Sequence, residues 1–101
     1  LNIYEEAKAQ VDENDDVIVV ASSNWNEGII GIVASKLSEK YKKPSFVFSI
    51  NNTIAKGSSR SNNYHLYNLI SLCSNDLIGF GGHKGAAGLT IKTALIDRLR
   101  L

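Results

Sequence analysis

The run Val17-Ile18-Val19-Val20-Ala21 does most to limit what this chain can fold into. Such an unbroken apolar segment has no polar side to give to water. As a strand it must be covered on both faces, which calls for a sheet with helices on either side. The neighbouring segments can supply that cover. Residues 2 to 13 form a polar amphipathic helix with Ile3, Ala7 and Val11 spaced four apart, and Asn14-Asp15-Asp16 breaks it. Gly28 to Tyr41 reads as a second helix, with Ile29, Val33, Leu37 and Tyr41 on one stripe, Ile30 and Ala34 beside it, and Pro44 ending it.

The rest of the chain keeps alternating between the two periodicities. Ser45 to Ile50 reads as a strand, Asn51-Asn52 as a hairpin turn, and Thr53 to about Ser59 as the returning strand. Asn62-Asn63 offers a cap for a helix from Tyr64 to Leu77, whose stripe is Leu66, Leu69, Ile70, Cys73 and Leu77. Gly79 is placed to stop it. Ala87 to Lys92 reads as a strand, and Thr93 as the cap of a last helix. The expected order is α-β-α-β-β-α-β-α, an α/β fold with a mixed β-sheet flanked by helices. The hairpin excludes a purely parallel sheet.

With 101 residues, 44% of them hydrophobic and 21% charged, the chain has the size and composition of one globular domain. No apolar run approaches the ~20 residues of a membrane-spanning helix. The N-terminus lacks the basic-then-apolar pattern of a signal peptide. Cys73 is the sole cysteine, which leaves no internal disulfide and no cysteine-based zinc site, and its helical company suggests a buried small hydrophobe. A cytoplasmic protein is expected. The chain has no Met, begins at Leu1 and stops at Leu101 within a helix-like pattern, so it reads as an excised piece of a larger protein.

Net charge is only +1, but its distribution is uneven. Six of the ten acids, Glu5, Glu6, Asp12, Glu13, Asp15 and Asp16, lie in the first sixteen residues. Between Lys40 and Ser74 there is none, while Lys40, Lys42, Lys43, Lys56 and Arg60 fall there. That stretch can turn a basic face to an anion or simply form a solvated surface.

Three polar clusters interrupt the scaffold. Ser22 to Gly28 lies between a buried strand and a helix N-terminus, a favoured place for ligands in α/β sheets. Trp25 there is either a packing anchor or a base-stacking platform; a lone aromatic favours packing. Gly28 and Gly31 have no dinucleotide-fingerprint spacing and suit close helix–sheet packing. The second cluster is Lys56 to Asn62, where Arg60 presents a planar fork suited to bidentate phosphate contact, flanked by hydroxyls, unless it is a salt-bridged surface residue. His65, at a helix start, is a weaker candidate. The third is Gly81-Gly82-His83-Lys84-Gly85-Ala86-Ala87-Gly88. Its main-chain N–H groups and the His83 imidazole could cradle a phosphate, or the segment could be a tight turn before a strand. Two histidines and no organised set of acids offer no metal cage and no acid–base pair. On residues alone the chain binds and positions but does not catalyse.

The third cluster resembles the GGHxxAAG signature of the DHHA1 domain of DHH-superfamily phosphoesterases. Within that superfamily, Trp25-Asn26-Glu27-Gly28-Ile29-Ile30-Gly31-Ile32-Val33-Ala34-Ser35-Lys36-Leu37 is similar to the W-x-x-G-V-I-G-I-V-A-S-R-L segment of the RecJ family, exonucleases that degrade single strands from 5′ to 3′. Tyr41-Lys42-Lys43-Pro44, Gly57-Ser58-Ser59-Arg60-Ser61, His65-Leu66-Tyr67 and Cys73-Ser74 follow that family's order, so the resemblance runs from about Val17 to Ile91.

The resemblance implies a division of labour. A DHH domain, absent from this chain, would hold Mn²⁺ or Mg²⁺, and residues 1 to 101 would be a single substrate-binding DHHA1 domain with residues 1 to 16 as a leading helix. The implied partners are single-stranded DNA and the chain's own DHH domain, with no membrane, in DNA repair and recombination. Arg60 and Ser61 would hold substrate phosphates with Ser59 nearby, and Gly81, Gly82 and His83 would face the metal centre, with His83 near the scissile phosphate. Asn26 stands where many relatives carry His, which favours hydrogen bonding over titration there. Other superfamily roles are a phosphodiesterase for short oligoribonucleotides, cyclic dinucleotides or a nucleoside bisphosphate, and an RNA-binding appendage of a synthetase.

Overall fold

The computed structural model describes residues 3–61, 66–71, 76–82 and 85–100. Helix α1 (Ile3–Gln10) leads into strand β1 (Ile18–Ser22), helix α2 (Ile30–Tyr41), and strands β2 (Ser45–Asn51) and β3 (Ile54–Arg60). Helix α3 (Leu66–Ser71), strands β4 (Leu77–Gly82) and β5 (Ala86–Lys92), and a 3-10 helix (Thr93–Arg100) complete the chain. The strands form one five-stranded sheet in the order β1-β2-β3-β5-β4. β1 and β2 are parallel, so the chain must cross over between them, and α2 is that crossover. The other three pairings are antiparallel.

The apolar run is covered on both faces, as its composition requires. Ile18 and Val20 join a core with Ala7, Trp25, Ile30, Val33, Ala34, Leu37 and Val47 beneath α1 and α2. Val19 points to the other side, into a core with Phe46, Phe48, Ala55, Ile70, Leu89, Ile91 and Ile96 beneath α3 and the 3-10 helix. β2 is buried from Ser45 to Phe48 for the same reason. Although β1 is an edge strand, Gln10 closes part of that edge. Its side-chain amide donates to Ala21 O at 2.9 Å and accepts from Ala21 N at 3.0 Å, imitating a further strand.

Several boundaries differ from the sequence-based expectation. α1 ends at Gln10 rather than residue 13. α2 starts at Ile30, and Gly28 and Ile29 belong to the preceding turn, so the buried stripe is Ile30, Val33, Ala34, Leu37 and Ser38 while Ile29 is exposed. Lys42, in the left-handed region at φ 58°, ends the helix before Pro44 is reached. The hairpin turn is Asn52-Thr53, one residue later than expected, with Asn52 at φ 59° and Asn51 paired with Ile54. Thr93 opens a 3-10 helix; its hydroxyl donates to Asn52 O at 2.9 Å, which ties the final element to that hairpin.

The largest correction concerns the stripe ending at Leu77. Leu77 is the first residue of β4, and Gly79 lies inside that strand at a register shift, not at a helix end. The glycine-rich segment is therefore a β-hairpin: Gly81 and Gly82 on β4 pair with Gly88 and Ala87 on β5. Tyr64, His65 and Cys73 lie outside the described residues.

Candidate nucleic-acid interface

Side chains alternate along a strand, and the register fixes which residues share a face. Ile54, Lys56, Ser58 and Arg60 of β3 stand opposite Lys92, Thr90, Gly88 and Ala86 of β5. Gly79 and Gly81 of β4 continue two of these rows beside Thr90 and Gly88. This face is the one that α2 partly covers over β2 and β3. Among the described residues the cover ends beyond β3: a side chain on Gly79 or Gly81 would meet nothing within 4 Å. The result is an open strip paved with glycine and small residues. Arg60 and Ser58 stand along one side, Lys56 and Lys92 toward the far end, and the hydroxyls of Ser58 and Thr90 lie within it.

Arg60 sits where β3 passes under the start of α2. Its Nη1 donates to Ser59 O at 2.8 Å, and among the described residues no carboxylate lies within ion-pair distance of it. The salt-bridged alternative for Arg60 thus has no partner among those residues. The first turn of α2 carries no acidic side chain, and Ile29 gives it no side-chain cap. Asn26 belongs to the turn that launches the helix: its Oδ1 accepts from Gly28 N at 2.6 Å and its carbonyl from Ile29 N at 3.1 Å. Lys56 approaches Glu27 at 3.8 Å, both well exposed, a contact that screening weakens.

The residues expected from sequence separate into three groups. Arg60 and Gly81 lie on the open face, and Ser61 is drawn beside the hairpin, its N–H donating to Gly85 O at 3.1 Å. Ser61 is itself largely buried. Ser59 and Gly82 belong to the opposite face. Ser59 is fully buried with its hydroxyl donating to Ala87 O at 3.2 Å, so it braces the strands and does not face a ligand. Gly82 adopts φ 154°, and a side chain there would meet Ala86 O at 2.5 Å, so it serves the tight hairpin. His83 lies outside the described residues. Trp25 is buried, with its indole N–H 3.4 Å from Glu6 Oε1, which makes it a packing anchor rather than a stacking platform.

Thr90, Lys92 and Gly79 were missed as site residues. The signal was available in the period-two pattern of β3, which fixes its open face, but pairing with β5 and β4 was needed to extend that face. Among the described residues no three His, Cys, Asp or Glu side chains come together as a metal site. Among the described residues no helix is long and apolar enough to cross a membrane.

The model of one domain family, the DHHA1 domain, matches residues 14–100. This chain belongs to the DHHA1 domain family. Within it, the chain is 45% identical over 86 residues to the single-stranded-DNA-specific exonuclease RecJ of Bacillus subtilis, covering 82% of this chain and 11% of that protein. It is 35% identical over 81 residues to the RecJ of Haemophilus influenzae, covering 74% of this chain and 14% of the relative. A crystal structure of exonuclease RecJ bound to manganese superimposes with a TM-score of 0.85 at 28% identity, over 96% of this chain and 24% of that one. RecJ of Thermus thermophilus in complex with Mg²⁺ gives the same TM-score and identity over 15% of its chain. This DHHA1 chain thus spans only a small part of the relatives it matches.

Proposed function

We propose that the open sheet face grips the phosphates of a single DNA strand on behalf of a metal-dependent 5′→3′ exonuclease, of which residues 1–101 form the substrate-binding domain. The observation that carries this reading is the position of Arg60. A guanidinium stands beside the first turn of a helix with no acid in that turn. A cation at the positive end of a helix dipole is unfavourable by about 0.3–1 kcal/mol, and an anion held between them relieves it. The planar fork suits a phosphate, and the neighbouring glycines let a backbone ligand approach.

In this reading Arg60 holds a phosphate and Ser61 anchors the hairpin beside it. Gly81 borders the cleft toward the metal centre, where His83 would reach the scissile phosphate, Gly82 shapes the hairpin behind it, and the Asn26 amide nitrogen donates at the rim. Ser58, Lys56 and Thr90 extend the grip along β3 and β5, while Ser59 braces the strands from behind. A DHH domain elsewhere in the longer protein would hold Mn²⁺ or Mg²⁺, which would supply water activation and charge neutralisation there. This chain's residues bind and orient the strand. The longer protein would act in the cytoplasm, in DNA repair and recombination. The names of the relatives, each a single-stranded-DNA-specific exonuclease, support the choice of substrate.

The test is turnover by the longer protein. It should release nucleotides from the 5′ end of single-stranded DNA. Arg60→Ala should lower kcat/KM roughly ten- to hundredfold, the worth of about 1.5–3 kcal/mol for a charge-assisted hydrogen bond, with the fold intact. Unchanged turnover in Arg60→Ala would remove the site assignment. Preference for short RNA, a cyclic dinucleotide or a nucleoside bisphosphate would overturn the substrate.

A further inference from the structure

Gly31 is the second residue of α2, and glycine is poorly suited to helices, so its place there needs a spatial reason. The flanking residues do not supply one: Ile30 enters the core and Ile32 is 59% exposed. Across from Gly31 lies Arg60. A side-chain carbon built on Gly31 would stand 2.8 Å from Arg60 Nη2, and 3.7 Å from both Arg60 Cζ and Ser58 Oγ. The first distance is well inside ordinary contact, which begins near ~3.5 Å. The space that glycine leaves is therefore the space the guanidinium occupies.

We infer that Gly31 is a positioning residue for Arg60: its missing side chain forms a notch in the first turn of α2 that holds the guanidinium toward the open sheet face. The guanidinium is held by Nη1 donating to Ser59 O at 2.8 Å, and Nη2 lies in the space that a side chain on Gly31 would fill. The bond and the notch together set the direction of the fork. An arginine so oriented meets a phosphate with both donors aligned, whereas a wandering one loses the bidentate geometry. A methyl on Gly31 would push away only the far end of a flexible side chain, so the helix and core stay intact while the fork turns aside. The inference rests on the reading of Arg60 as a phosphate grip.

The test is a double-substitution cycle in the longer protein, read by affinity for a short single-stranded oligodeoxythymidylate across a salt series. Gly31→Ala should weaken binding about tenfold and make the salt slope shallower by about 0.7, one phosphate contact on a single strand. Its thermal midpoint should be unchanged or higher. In ¹⁵N spectra of the present chain, the Arg60 Nε–H resonance should move. In an Arg60→Ala background, Gly31→Ala should have no further effect, because the residue acts only through Arg60. With Arg60→Lys, which has no planar fork to align, the added methyl should change affinity less than about twofold. If Arg60→Ala weakens binding and Gly31→Ala does not, the notch is only a packing detail and the inference fails alone. Equal weakening by Gly31→Ala with and without Arg60 would also overturn it. If Arg60→Ala has no effect, the phosphate grip itself fails and the inference falls with it.

Discussion

Arg60, Gly31 and Trp25 show how much a single residue's neighbours decide about its role. Arg60 and Trp25 both looked like ligand contacts or structural supports when read from the chain alone. Burial separates them: Trp25 is 2% exposed and fills the core beneath α1 and α2. Trp25→Ala should therefore cost about 3–5 kcal/mol, lowering the midpoint of thermal unfolding, rather than selectively weakening a ligand. A variant that keeps its stability but loses DNA binding would restore the stacking role. Ser59 was misplaced by the same lack of a third dimension. It adjoins Arg60 in sequence, yet adjacent strand residues face opposite sides of a sheet, so one reaches the open face and the other the core.

Among the elements, those with strong internal patterns were legible in the sequence. β1, β2, α2 and the β2–β3 hairpin follow from apolar runs, helical spacing and asparagines that tolerate positive φ. β4 was not legible. Leu77 extends the helical stripe of Leu66 and Ile70, and Gly79, Gly81 and Gly82 have little β-propensity. That strand is specified by hairpin pairing with β5, which the periodicity of its own residues does not show. The expected glycine loop was consequently a hairpin, and the face it extends was only half visible.

α1 makes a contrasting case, since it precedes the range that matches the domain family. Ala7 is nevertheless fully buried, and Gln10 pairs with both backbone groups of Ala21. Residues 14–101 alone should thus be less stable by a few kcal/mol, the loss of one small buried face and a pair of hydrogen bonds at ~1 kcal/mol each. Denaturant midpoints of the two lengths would check this; equal midpoints would make α1 an appendage.

For the whole molecule, the two faces of one sheet do different work. The side bearing Phe46, Phe48, Leu89 and Ile91 is a closed core, while the other is covered by α2 only as far as β3. The uncovered part carries basic and hydroxyl side chains over glycines, and among the described residues its one ion pair is the exposed contact of Lys56 with Glu27. Binding by such a surface should weaken as salt rises, because phosphate contacts release counterions; a salt-independent affinity would argue against it.

The most direct measurement is a ¹⁵N NMR titration of this chain with a short 5′-phosphorylated DNA strand. The open-face account predicts shifts at Ser58, Arg60, Gly81, Gly88 and Thr90, with the Arg60 side-chain N–H among them, and little change at Ala55 or Ile91 on the closed face. No shifts at millimolar strand, or shifts centred on the closed face, would contradict it.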